Sequence, residues 1–302
     1  MATLKGQNFR ILTLDTATGL YTVIGMATNC TVTLNANTES ATTKDDVGLA
    51  DKPVVVSKNW QVSVESLDVM DMAAILARVK AMTPFTIIWD ETKTSDNQTP
   101  LSGSVSRGGL AYLSDATFTF NDRENSSKSL QFVGSGQLDG MSITNSVIPS
   151  GSYTKGQFVR LFLANSGTGS PDLVIGAAKT LSFHVSVSLE NSTTKDTEGD
   201  WQLQEPVGLS YDISSSALMR GADVITSTVL AQSLADINLI YENSKPVKYQ
   251  IANVSGANQR TKGAVIVSGL VVITKLDLNG PNRQNADYTA TMNGYGEYTV
   301  GA

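Results

Sequence analysis

The sequence predicts a mainly β protein: two tandem, similar β-barrel or sandwich domains, each with one inserted α-helix. Three observations carry that expectation. Thr42-Thr43-Lys44-Asp45-Asp46-Val47-Gly48 is answered 151 residues later by Thr193-Thr194-Lys195-Asp196-Thr197-Glu198-Gly199, in a chain of 302 residues. Runs in which apolar and polar residues alternate, the period of a half-buried strand, recur through both halves. Helical spacing interrupts that pattern at one place in each half.

The agreement between the halves extends outward from the shared words. Lys5-Gly6-Gln7 is answered by Lys155-Gly156-Gln157, Arg10 by Arg160, and Ile24-Gly25 by Ile175-Gly176. Trp60-Gln61-Val62-Ser63 is answered by Tyr211-Asp212-Ile213-Ser214, and Leu67 by Leu218. Further on, Ile87-Ile88-Trp89 matches Leu239-Ile240-Tyr241 one residue out of step, and Gly134-Ser135-Gly136 matches Gly294-Tyr295-Gly296 at a separation of 160. Loop insertions in the second copy account for such drift, because insertions collect in surface loops. Similarity of this length is the mark of a tandem duplication. It divides the chain into domains 1–147 and 153–302, joined by the linker-like Ile148-Pro149-Ser150-Gly151-Ser152.

In the first half, Phe9 to Leu14 and Tyr21 to Ile24 read as strands around a Thr18-Gly19 turn, and Cys30 to Leu34 alternates again. The polar stretch Asn35 to Asp51 holds the first motif, and Val54 to Val56 and Trp60 to Val64 resume the strand pattern. Asp68 to Met82 is a helix: Val69, Met72, Leu76 and Val79 recur at spacings of three and four, Asp68 can cap it, and Pro84 follows it. Met70, Met72 and Met82 on this helix read as core filling rather than a docking face. Phe85 to Trp89 is a strand, 90–107 a long polar loop, and Ala116 to Phe120 and Leu130 to Val133 form a hairpin. Trp60 and Trp89 fall in strand runs and are expected in the core.

The second half repeats the order. Strands are expected at Phe158 to Leu163, Leu181 to Leu189 and Leu209 to Ser214, then a weaker helix near Ala222 to Leu234. More strands follow at Ile237 to Tyr241, Val247 to Ala252, Ala264 to Ile273 and Ala286 to Met292, with the orientation of the long loops 90–107 and 242–262 left open.

Composition excludes several functions. The net charge is −6, with 11 Lys and Arg against 15 Asp and Glu in residues 1–151 and 11 against 13 in residues 152–302. Neither half carries the clustered cations that displace phosphate counterions, so tight nucleic-acid binding is not expected. No apolar run approaches the length of a membrane span, and the start has no basic-then-apolar leader, so no signal peptide is expected. Cys30 is the only cysteine and reads as a small strand hydrophobe, which suits a reducing compartment. His184, the only histidine, lies in Phe183-His184-Val185-Ser186-Val187 with no acid beside it in sequence, so it reads as a hydrogen-bonded strand residue and not a catalytic base. There is no phosphate-binding glycine loop and no Cys/His cluster. Asp45-Asp46 and Asp196-Glu198 supply too few oxygens for calcium. No catalytic residue, metal or cofactor is expected.

A strand pair, then Thr193-Thr194-Lys195-Asp196, Gly199 and Trp201, then a strand and a short helix: this arrangement resembles the major tail tube proteins of long-tailed bacteriophages. The resemblance covers essentially the whole chain, counted as two copies of that family's domain. The first copy departs from it at Ala50, which stands where the second has Trp201. The resemblance implies a fold shared with the tubes of injection and secretion machines, six domains to a ring, and rings stacked into a hollow tube. Two domains per chain then imply a homotrimer forming a pseudo-hexameric ring. It also implies partners: further copies of the chain, tape-measure, tail terminator and baseplate or tip proteins, a sheath if the tail contracts, and DNA in transient, non-specific passage, with no membrane. The expected location is the virion tail, after assembly in the host cytoplasm.

The resemblance gives the motif loops a role between rings or subunits: Lys44, Asp45, Lys195 and Asp196 in ion pairs, and Thr42, Thr43, Thr193 and Thr194 bonded to backbone, with Gly48 and Gly199 at the turns. The competing reading is an internal turn with a solvated lysine. Trp201 either anchors its loop base or fills a neighbour's pocket. Two rival functions share the features above: a carbohydrate-binding or adhesive tail decoration, and the tube of an injection or secretion machine.

Overall fold

Alternation dictates most of the architecture. In the computed structural model the described residues are 6–15, 20–45, 50–67, 69, 71–91, 106–141, 146–147, 154–164, 169–197, 199–219, 231–255 and 261–301. The expected linker 148–152 and the helix-capping Asp68 lie outside them. The protein is mainly β and its long strands pair antiparallel.

The first half contains β1 (Phe9–Asp15), β2 (Leu20–Val23), β3 (Ala27–Ser40), β4 (Pro53–Ser66), α1 (Met72–Lys80), β5 (Phe85–Glu91), β6 (Ser106–Asn121), β7 (Ser127–Met141) and β8 (Ser146–Val147). The second contains β9 (Val159–Leu163), β10 (Leu173–Ile175), β11 (Ala178–Asn191), β12 (Gln204–Leu218), β13 (Ala231–Gln232), α2 (Leu234–Asn243), β14 (Val247–Ser255), β15 (Thr261–Asn279), β16 (Asp287–Gly294) and β17 (Thr299–Val300). Hydrogen bonding orders the first set β2-β1-β5-β6-β7-β4-β3. It orders the second β10-β9-β14-β15-β16-β12-β11, the same path.

Registers agree as well as order. β3 and β4 slip past one another between Ala27 and Asn29 and again between Asn37 and Thr38; β11 and β12 do so between Ala178 and Thr180 and between Ser188 and Leu189, each 151 residues on. β6 bulges at Ser114, whose hydroxyl donates to the Gln131 carbonyl at 3.1 Å. β15 bulges at Thr274, 160 residues on, whose hydroxyl donates to the Thr291 carbonyl at 3.3 Å. A bulge places a side chain and a bend at one point of a sheet, so coincident bulges mean coincident curvature.

Packing repeats at the centre of each half. A Cβ on Gly134 would lie 2.0 Å from the Trp60 ring, and one on Gly294 would lie 2.4 Å from the Tyr211 ring. In both places glycine lets a neighbouring strand carry a large aromatic flat against its backbone. Trp60 is fully buried and packs on half-buried Trp89 at 5.8 Å between centroids, as the strand pattern predicts.

Four expectations are corrected. The first helix starts at Met72 and ends at Lys80, with Asp71 at its N-cap position; Met72, Ile75, Leu76 and Val79 are its buried face. Met72 is core, whereas Met82 is exposed beyond the helix end and Met70 is outside the described residues. The second helix is α2, so Ile237 to Tyr241 is helical and not a strand. A capping box decides this: Ser233 accepts from the Asp236 N–H while the Asp236 carboxylate accepts from the Ser233 N–H. Ile237 and Ile240, three apart, then face the core. A run of five apolar and polar residues fits either period, and the cap outweighs strand propensity there. Of the span expected as helix, 222–230 lies outside the described residues, and β13 occupies Ala231–Gln232. It follows that Ile87-Ile88-Trp89 does not correspond to Leu239-Ile240-Tyr241. Its register partner in the second half is Tyr249 to Ile251 on β14, since Phe85 pairs with Ala111 and Val247 with Val271.

One apolar core runs through both halves. It draws on Trp60, Phe118 and Phe132 from the first half and on Phe183, Tyr211 and Tyr249 from the second. Near the chain end, buried Tyr298 meets Phe183 and Tyr211 edge-on and donates its hydroxyl to the Leu76 carbonyl of α1 at 2.8 Å.

Candidate assembly interface

Each motif loop sits at the tip of a long hairpin, β3–β4 or β11–β12. Thr42 and Thr193 do the same job: their hydroxyls accept from the backbone N–H of Lys52 at 3.0 Å and of Leu203 at 2.8 Å, closing each loop at its base. In the second loop the Thr197 hydroxyl accepts from the Thr194 N–H and the Thr194 hydroxyl from the Asp196 N–H, so threonines build the turn. Lys44, Asp45, Lys195 and Asp196 are exposed and make no ion pair with any described residue. Thr43 is exposed, Gly199 has positive φ of 78°, and Gly48 lies outside the described residues.

The two loops differ at their bases. The second is seated on the first half of the same chain. Lys58 donates its N–H to the Asp200 carbonyl at 2.6 Å and accepts from the Gln202 N–H at 2.9 Å, and its ammonium pairs with the Asp200 carboxylate at 3.2 Å. Half-buried Trp201 lies beside this contact, with the Lys58 ammonium 5.9 Å from its ring centroid. Gly136 N–H donates to the Gln202 carbonyl at 2.8 Å, and the Ser135 hydroxyl accepts from the Gln204 N–H at 2.9 Å. Trp201 thus stands at the loop base, against its own chain. Lys58 carries no sequence signal for this role, being 142 residues from Asp200.

Below that loop, β11 adds to β6, with Thr180 opposite Asn121 through Ser186 opposite Asp115. Leu181, Phe183 and Val185 face the core, opposite Phe120, Phe118 and Ala116. Between them His184 points to the other side and meets two carboxylates: Nε2 lies 2.7 Å from Asp115 Oδ2 and Nδ1 2.5 Å from Asp212 Oδ2. Carboxylates only accept, so both ring nitrogens donate when the imidazole is protonated. The acids come from strands on either side and are invisible to a local reading.

Burial disfavours the His184 charge, but the Asp115 and Asp212 hydrogen bonds outweigh it and raise the pKa above the ordinary 6.5. A raised folded pKa contributes stability that is complete below 6.5 and disappears as pH climbs through the folded value. With one histidine in the chain, urea midpoints are expected to fall between pH 6 and 8.5, and His184→Gln to flatten that fall. A profile that His184→Gln leaves unchanged would assign the dependence elsewhere.

Residues 159–300 match the family described as phage tail tube protein. That family is structural and not an enzyme family. Among solved structures, a chain of the virion of a native gene transfer agent particle is similar at 18% identity and TM-score 0.37, over 49% of this chain and 99% of that one. A chain of the tail of an empty gene transfer agent particle, computed with C6 symmetry, is similar at 19% identity and TM-score 0.35, over 48% of this chain and 95% of that one. The SPP1 tail tube is similar at 14% identity and TM-score 0.32, over 49% and 78%. No curated protein matches the sequence. The matched residues include β11, the motif loop from Thr193 to Trp201, and α2.

Proposed function

We propose that this chain is the structural subunit of a phage tail tube and that both halves are tube domains, a tandem duplication. The observation that carries the reading is the family match over 159–300, taken with a first half of the same strand order, bulge positions and ring-on-glycine packing. If a ring takes six such domains, three chains close it as a homotrimer with pseudo-sixfold symmetry. Head-to-tail contacts of this kind generate closed rings, or helices when they do not close.

Rings then stack into a hollow tube that passes DNA, ends at terminator and tip proteins, and encloses a tape measure during assembly in the host cytoplasm. The exposed Lys44-Asp45 and Lys195-Asp196 tips, free of partners among the described residues, are available to pair with an adjacent ring. A net charge of −6 per chain suits a bore that repels a polyanion weakly rather than binding its phosphates.

Electron microscopy of the purified chain tests this directly. Rings with threefold symmetry, and stacks of them, are the expected result. Lys44→Glu with Lys195→Glu is expected to leave single rings but shorten or abolish stacks. A monodisperse monomer at all concentrations would sink the tube, and unchanged stacking would remove the loops from the contact.

A further inference from the structure

The seam that joins the two halves has three parts, and each part recurs elsewhere with no counterpart seated on it among the described residues. The first is the pairing of β11 with the end of β6. Transposed by the separations of 151 and 160, Thr180 to Ser186 becomes Asn29 to Asn35 on β3, and Asp115 to Thr119 becomes Lys275 to Asn279 on β15. Among the described residues β3 pairs only with β4, and β15 beyond Val271 pairs only with β16. Their apolar side chains stand in water: Leu34 is 55% exposed where its counterpart Val185 is 1%, and Leu278 is 56% exposed where its counterpart Phe118 is 0%. A long apolar strand edge left bare is a pairing site unless blunted.

The second part is the hairpin base. Residues 200–204 sit on Lys58, Ser135 and Gly136; the equivalents are Asp51 and its neighbours on one side and Leu209, Tyr295 and Gly296 on the other, and Tyr295 is 57% exposed. The third is a short 3₁₀ turn. Gly156, in Gly156–Phe158, is held so close to the β6–β7 turn that a Cβ would lie 2.3 Å from the Asn121 carbonyl, and its N–H donates to the Glu124 carbonyl at 2.9 Å. A Cβ on Gly6, in the matching turn Gly6–Asn8, would have no described atom within 4 Å.

All three unused donor features lie on the first half, and all three unused acceptor features on the second. We propose that they meet between copies: β3 of one chain adds antiparallel to the C-terminal part of β15 of the next, from Thr31 opposite Asn279 to Asn35 opposite Lys275. Val32 then faces Leu278 and Leu34 faces Leu276, while the first hairpin base covers Tyr295 and the Gly6 turn docks on the β15–β16 turn. The occupant is a second copy, because the internal seam already displays the fit and its polarity is head to tail. The inference rests on the tube reading above and adds the strands and register by which the ring closes. It also separates the two kinds of seam chemically. Thr33 and Lys275 stand where the internal seam has His184 and Asp115, so the histidine's pH dependence stays within the chain.

Paired cysteines test the register. In a Cys30→Ser background, Val32→Cys with Leu278→Cys is expected to give covalent dimers and closed trimers on oxidation, while Val32→Cys with Thr274→Cys, four residues out of register, stays monomeric on a denaturing gel. Leu278→Lys, exposed in the isolated chain, is expected to leave thermal unfolding of the monomer unchanged and to abolish rings in the microscope. Rings from the unaltered chain with no cross-link at 32 and 278, or rings from Leu278→Lys, would overturn this seam and leave the tube standing. An unaltered chain that forms neither rings nor cross-links would overturn both.

Discussion

Asp71→Ala is expected to destabilise the folded chain by about 3–5 kcal/mol, the usual effect of removing one partner from a buried ion pair. The Lys128 side chain is 1% exposed on β7, and both carboxylate oxygens of Asp71 lie 2.5 Å from its ammonium. Asp71 is 45% exposed and stands at the N-cap position of α1, yet its carboxylate makes no capping bond there. Its role is to hold the helix entrance to β7 and to keep a buried ammonium paired. Urea unfolding measures the loss. Lys128→Met combined with Asp71→Ala is expected to recover most of it, because a methionine of similar length needs no counter-charge; a double variant as weak as the single one would show that the carboxylate acts through the helix instead.

Phe183→Ala is expected to cost about 3–5 kcal/mol, the range for emptying a large buried aromatic site. Phe183 is fully buried, lies opposite Phe118 across the β11–β6 seam, and has Tyr211 and Tyr298 at 6.0 and 6.1 Å between centroids. Tyr298 in turn is tied to α1 through the Leu76 carbonyl. The void would therefore open where both halves and the end of the chain meet. Hydrogen exchange is expected to rise in β11, the end of β6 and residues 298–300 before it rises in β1 or β5. Uniform exchange throughout would mean that the seam is not a separate weak point.

His184, between Asp115 and Asp212, illustrates what kinds of residue a one-dimensional reading can find. Its strand setting was legible from the alternation of Phe183, Val185 and Val187, and so was its hydrogen-bonded state. Its partners were not, because one comes from β6, 69 residues away, and the other from β12, 28 away. Lys58 with Asp200 and Lys128 with Asp71 are of the same kind: pairs made by sheet order, which no spacing encodes.

The sequence by itself determined the elements whose signal is local or repeated. The alternating strands, the first helix, the burial of Trp60, the shared loop at 42–48 and 193–199, and the separations of 151 and 160 are all written in residue order, because side-chain period and chain punctuation are set by neighbours along the backbone. Tertiary structure decided where α2 lies, since Ser233 and Asp236 cap a run that either period would fit, and it alone decided that β11 closes on β6 while β3, among the described residues, pairs only with β4. That choice depends on which strand edge meets which between residues as far apart in sequence as Ser186 and Asp115, a contact made by folding and not by proximity along the chain.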